Sequence, residues 1–308
     1  MESEQAERFT ATLEDKLQSL LTKASTLQPE EMLIRHNGLL YPALLCPEDN
    51  LRQFAKFDAR PEDMCIASYP KCGFNWVNQL FRDIAAAVRK DDGQRKIILL
   101  EFSGADTHQV INSYPSPRVY GTHCHYENLP ASVIEKKTKV LVVFRNPKDN
   151  AVSYYHFCQK HPLLPNSASW DEFFKEYMAG EVAWGSYFDS ALIWEKHIDD
   201  EHVMIITYEE LKENLIGGVQ KIAEFYGFSL SVEQIENIAR KGTFQAMSDN
   251  SQETHSIFGN FFFRKGVVGD WRNLFTEEQS REMDAKFEEC LAGTKLGAKL
   301  KYDLYCKT

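Results

Sequence analysis

The chain has 308 residues, 43% of them hydrophobic and 26% charged, with a formal net charge of −10. That balance supports a sizeable core and excludes a largely disordered chain, and the acidity argues against nucleic-acid or anionic-membrane partners, which select basic faces. No apolar run reaches the ~20 residues that span a bilayer, and residues 1–25 carry Glu2, Glu4, Glu7, Glu14 and Asp15 where a secretory signal would be apolar, so a cytoplasmic protein is expected.

The seven cysteines are odd in number and form no C-x-x-C pair, which favours reduced thiols over a disulfide framework or a zinc site. There is no internal repeat and no linker-like tract, so the chain reads as one domain over 1–308. Helical spacing of Phe9, Leu13, Leu17, Leu20 and Leu21 predicts a packing helix over 5–23. Next comes a strand at 64–68, a tight Tyr69-Pro70-Lys71-Cys72-Gly73 turn and a helix over 75–88. Short apolar runs at 96–101, 119–122, 139–144 and 203–207 alternate with helical patterns at 147–159, 170–178, 184–197, 218–226 and 278–290. The fold class predicted is α/β, a mostly parallel central sheet with helices on both faces. The run Val140-Leu141-Val142-Val143-Phe144, apolar throughout, is its central strand.

A strand that ends in a Gly-containing turn and opens a helix aims backbone N–H groups and the positive helix end at an anion. Lys71 adds a cation and Gly73 permits close approach, which makes a P-loop-like anion-binding strand-loop-helix. A plain turn with a solvated lysine is the bland alternative. A nucleoside triphosphate loop would place a Mg²⁺-binding hydroxyl after the lysine, where this chain has Cys72, so a nucleoside kinase is the less favoured reading. His123 and His125 share one side of an extended segment, but nothing at convincing spacing completes a metal site.

Tyr69-Pro70-Lys71-Cys72-Gly73-Phe74-Asn75-Trp76 resembles the Y-P-K-S-G-T-x-W loop of cytosolic sulfotransferases, enzymes that use PAPS (3'-phosphoadenosine 5'-phosphosulfate) and release PAP. Four further segments agree in order: Thr122-His123, Arg145-Asn146-Pro147-Lys148-Asp149 through Ser153, Tyr208-Glu209-Glu210-Leu211-Lys212, and Arg264-Lys265-Gly266 through Asp270-Trp271. The resemblance spans roughly 30–306, and the wording of the last third is nearest to family 6 members.

It implies that Lys71 and the backbone of Cys72, Gly73, Phe74, Asn75 and Trp76 hold the 5' end of PAPS, while Arg145, Ser153, Arg264, Lys265 and Gly266 hold the 3'-phosphate. Arginine suits phosphate because its planar fork bonds in pairs. Trp76, Tyr208, Thr243, Phe244 and Met247 would hold adenine. His123 is the implied general base, with an unperturbed pKa suited to neutral pH, and Lys71 would stabilise the leaving phosphate oxygen under restraint by Ser153. The acceptor pocket would draw on Leu99, Phe102, Phe157, His161 and the Phe-rich stretch 258–263, which suits a phenol, an iodothyronine such as thyroxine, or a hydroxysteroid. No metal is implied.

Several positions depart from the family pattern. Phe74 replaces a threonine, Gly121 a lysine, Gly242 a hydroxyl residue and Cys72 a serine. The Gly121 change opens a further reading, a PAPS-binding protein with little activity. Cys72 beside Lys71 at a helix start suggests a favoured, redox-sensitive thiolate, against the alternative of an inert small residue. The family's dimer segment survives only as Arg272-x-x-x-Thr276-Glu277-x-x-x-Arg281, so a monomer or weak homodimer is expected.

Overall fold

The computed structural model describes residues 18–91, 98–249 and 265–307. Arg264, the stretch 258–263, the side chain of Phe244 and most of the N-terminal helix lie outside the described residues; residues 18–24 are helical.

A hairpin the sequence reading did not foresee precedes the sheet. Strands β1 (Leu33–His36) and β2 (Leu39–Pro42) pair antiparallel across Asn37-Gly38. Both turn residues have positive φ, 48° and 80°, the conformation that Asn-Gly adopts most readily. Four strands then form the predicted parallel sheet: β3 (Met64–Ser68), β4 (Val119–Thr122), β5 (Val140–Phe144) and β6 (Val203–Thr207), in the order β4-β3-β5-β6.

Alternation along each strand divides the core in two. Cys65, Ala67, Val140, Val142, Phe144, Val203 and Ile205 join one apolar cluster, and Met64, Ile66, Leu141, Val143 and Ile206 join the other. Helix α1 (Phe74–Arg89) covers the second face with Val77, Leu80, Phe81 and Ile84. Helix α2 (Pro147–Cys158) is part of the first cluster through Ala151, Val152 and Tyr154. β3 leads to β4 on one side and has β5 on the other. The order thus switches direction at β3, and the crevice above the strand ends at such a point is where open α/β sheets take ligands.

Two predicted elements differ. Within the run 96–101, Leu99 makes a single bridge to Gly121 and Leu100–Phe102 is a 3₁₀ turn. The turn tucks Glu101 inward, where its Oε1 accepts the His123 backbone N–H at 2.7 Å. The helix predicted over 184–197 runs only Tyr187–Glu195, because Trp184 (φ 62°) and Gly185 (φ 71°) are left-handed and Ser186 caps the helix by accepting the Asp189 N–H.

Candidate functional site

One cleft opens above β3, β4 and β5, and encloses about 1410 Å³ of empty space with its mouth included. At its floor the chain leaves β3, and Lys71 takes φ 66°, a conformation bulky residues rarely adopt. Gly73, at φ 107°, then starts α1 without a side-chain cap, so the first N–H groups of the helix are left to a ligand. Only glycine fits there, since a Cβ would lie 2.9 Å from the Tyr208 ring. The Asn150 amide donates to the Pro70 carbonyl at 2.7 Å and, in turn, Tyr177 Oη donates to Asn150 Oδ1 at 2.9 Å, which ties the loop to α2.

Arg145 stands at the start of α2. Its guanidinium lies 4.5 Å over the Tyr208 ring, donates to the Val267 carbonyl at 2.9 Å and is 3.9 Å from Asp149. Its Nε is buried without a hydrogen-bond partner, an unspent donor of the kind an anion would take. Asp149 accepts the backbone N–H groups of Gly269 at 2.7 Å and Trp271 at 3.0 Å. That clamp brings the distant segment of Lys265, Gly266 and Val267 to the same wall. Lys265 pairs with Asp270 at 2.6 Å.

Trp76 donates from Nε1 to the Gly242 carbonyl at 2.6 Å and meets Tyr208 edge to face, with 5.0 Å between ring centroids. Met247 lines the cleft beside them.

His123 follows the last residue of β4. Its Nδ1 lies 2.9 Å from the Ser68 carbonyl oxygen, which can only accept, so Nδ1 carries the proton and Nε2 keeps its lone pair. The ring sits between Phe74 (centroids 5.1 Å apart) and Trp184 (4.9 Å), both edge to face. Burial lowers its pKa to about 4, the bond to Ser68 pulls it up, and Lys71 lowers it again. Behind it, burial raises the Glu101 carboxyl to about 7, against the bonds it accepts from the His123 N–H and other neighbours.

Of the residues singled out from sequence, Lys71, Gly73, Phe74, Asn75, Trp76, Leu99, Phe102, His123, Arg145, Ser153, Phe157, His161, Tyr208, Met247, Lys265 and Gly266 all line this cleft. Thr243 is exposed and outside that lining, and its hydroxyl donates to the Arg240 carbonyl. Cys72 corrects the expectation of a reactive thiolate. It points into the core under the loop, fully buried, with the Asn150 amide 3.2 Å from its sulfur. Burial pushes its thiol well up, and the Arg145 side does not reverse that.

Phe74 and Gly121, read from sequence as separate departures, form one. A Cβ on Gly121 would lie 2.3 Å from the Phe74 ring, so the ring occupies the room a side chain at 121 would need. Sequence reasoning missed Trp184, Leu45, Leu164, His156, Lys160, Lys212 and Val267, which also line the cleft. The Trp184 N–H donates to the Leu40 carbonyl of β2 at 2.7 Å, a link across 144 positions that no local pattern carries.

A model of the sulfotransferase domain matches residues 61–295. The chain is 49% identical over 293 residues to sulfotransferase 6B1 of mouse, covering 95% of this chain and 97% of that one. It is also 49% identical to sulfotransferase 6B1 of zebrafish, with 95% and 99% covered. Among solved structures it is similar to mouse sulfotransferase SULT7A1 complexed with PAP, at a TM-score of 0.80 and 32% identity, covering 90% of this chain and all of that one. An anion-ready loop and a buried histidine in one cleft, together with a family match over most of the length, lead to one conclusion: the chain belongs to the sulfotransferase family.

Proposed function

We propose that this protein transfers a sulfonate group from PAPS to a hydroxyl of a small, largely apolar acceptor, with His123 as general base. The observation that carries this reading is the imidazole of His123, held as the neutral Nδ1–H tautomer with Nε2 unprotonated in a ring-lined cleft. PAPS supplies the sulfonate on its 5'-phosphate. The residues present fit a nucleotide with anionic groups at two separated points: uncapped helix donors and Lys71 at one point, and Arg145 with an unspent Nε, Ser153, Lys265 and the Gly266 backbone at another. Arg264 is assigned to the same group on the resemblance. Trp76, Tyr208 and Met247 hold the adenine by stacking and edge contacts, and Thr243 and Phe244 are assigned to it on the resemblance alone.

His123 takes the acceptor's hydroxyl proton at Nε2 as the oxygen reaches sulfur. Lys71 offsets the charge that develops on the leaving phosphate oxygen. Phe102 and Trp184, with 5.9 Å between ring centroids, and Leu99, Phe157, Leu45 and Leu164 form an apolar wall that suits phenols, iodothyronines and hydroxysteroids. No helix among the described residues is long and apolar enough to cross a membrane, and the acidic chain supports a cytoplasmic location. A PAPS-binding protein of low turnover is the second reading, favoured by the Phe74 ring standing where a residue-121 side chain would project.

The test is metal-free transfer of labelled sulfonate from PAPS to a panel of these acceptors. His123→Ala is expected to lower kcat by about 10²-fold or more while PAP binding is kept. Lys71→Ala is expected to lower both. Undiminished transfer by His123→Ala would overturn the base assignment, and tight PAP binding without transfer would favour the second reading.

A further inference from the structure

The cleft wall carries charge of one sign. Among the described residues its lining includes Lys71, Arg145, Lys160, Lys212 and Lys265 and no aspartate or glutamate, on a chain whose net charge is −10. Most of these cations have evident business with the nucleotide half. Arg145 and Lys265 are fixed around the clamp formed by Asp149 and Asp270, Lys71 belongs to the loop, and Lys212 lies 6.0 Å from the Trp76 ring.

Lys160 does not belong to that group. It follows the end of α2, and the 161 N–H still donates to the Phe157 carbonyl at 2.9 Å, so the helical turn continues through it. Ser153, His156, Phe157, Lys160 and His161 therefore fall at i, i+3, i+4, i+7 and i+8, one stripe that runs from the nucleotide half to the acceptor half. All five line the cleft. Lys160 is exposed and makes no ion pair among the described residues.

His161 is buried against Phe157, with 4.9 Å between ring centroids. Its Nδ1 accepts the Leu163 N–H at 3.3 Å, which leaves the proton on Nε2. Burial, then Lys71, lowers it to about 4, so it is a neutral donor at physiological pH. One cation flanked by imidazoles, with no carboxylate among the described lining residues, is chemistry that attracts an anion. An acceptor whose remote end carried a cation and no anion would meet repulsion there.

We propose that the acceptor carries a carboxylate or similar anionic group remote from the hydroxyl it presents to His123, and that Lys160, with His156 and His161 beside it, receives that group. This rests on the acceptor reading above and narrows it to acidic phenols and hydroxy acids of similar build.

The test reads binding, so it does not depend on turnover. The protein saturated with PAP is titrated calorimetrically with 4'-hydroxybiphenyl-4-carboxylate and with the longer 3-(4'-hydroxybiphenyl-4-yl)propanoate, each against its methyl ester, at low and high salt. Wild type is expected to bind at least one acid about three- to tenfold more tightly than its ester, with the margin shrinking in salt. Lys160→Met is expected to abolish the margin and Lys160→Glu to reverse it, with PAP affinity unchanged. Equal binding of acid and ester at both lengths, or a preference that survives Lys160→Glu, would overturn the proposal. Discrimination without sulfonate transfer to either acid would uphold it and count against the transferase reading alone. Failure to bind PAP would overturn both.

Discussion

A histidine that titrates near pH 4 stays a base across the physiological range. Two causes act on His123 in the same direction, since burial penalises the imidazolium and Lys71 repels it. The acid limb of kcat/KM, which reports the unliganded enzyme, is therefore expected well below the usual 6.5, and a limb centred at 6.5 would contradict this account. The same groups govern acid stability. His123 and His161 both have lowered pKa values, so between pH 6.5 and 4 the unfolded chain binds protons more readily, and stability falls as pH falls. Glu101 has the opposite sign. Raised to about 7 from 4.5, it gives a contribution that is present at low pH and lost as pH rises through 7. Glu101→Gln is thus expected to gain more in Tm than wild type does between pH 4.5 and 7, as read by thermal unfolding across buffers. His123 and Lys71 were legible in the sequence because their neighbours in the chain carry the pattern. Glu101 was not, since its bond to His123 crosses 22 positions and looked from sequence like the end of a strand.

At the scale of elements, the strand-loop-helix at 64–89 was legible almost to its ends, because its glycine, its apolar strand and its helical stripe all act locally. What escaped was how one element constrains another. Phe74 on α1 and Gly121 on β4 touch only because β3 and β4 pair in parallel with Ile66 opposite Gly121. Overpacking a close contact costs about 1–3 kcal/mol. Gly121→Ala is expected to destabilise by that amount in the wild-type chain and by much less when added to Phe74→Ala, whose own cavity cost is separate. A double-mutant cycle by urea denaturation would measure the coupling, and additive effects would contradict it. The Asn37-Gly38 hairpin was readable in principle from its turn pair. The 184–197 helix was misread because an apolar periodic run cannot reveal that Trp184 and Gly185 form a left-handed corner beside His123.

For the whole molecule, composition and alternation were enough to foresee one sheet with a core on each face, since strand burial follows directly from the period of two. The closure of the C-terminal region was not foreseeable. Lys148, fully buried, donates to Ser280 Oγ at 2.6 Å and to the Cys306 carbonyl at 2.8 Å, and pairs with Asp284 at 2.6 Å. It therefore ties α2 to the helix Glu277–Cys290 and to the last described turn. The remnant of the dimer segment lies at that helix's start. Thr276 accepts the Gln279 N–H as its cap, and Arg281 faces Glu277 of its own chain at 3.9 Å, both well exposed. A side chain that meets its own preceding turn offers little to a second copy. Sedimentation velocity is expected to give a monomer of 35.5 kDa at micromolar concentration, and a stable dimer would contradict the expectation.

The placement of the indoles makes the cleft optically divided. Of the five tryptophans, Trp170, Trp194 and Trp271 lie outside the cleft lining, whereas Trp76 and Trp184, the latter also buried, belong to it, beside Tyr208 and His123 respectively. On the proposed function, three emitters lie away from both guests and two beside one guest each, so intrinsic fluorescence is expected to follow the two separately. Trp76→Phe is then expected to leave an acceptor signal and Trp184→Phe a nucleotide signal, which would let the order in which the two halves fill be watched without any label.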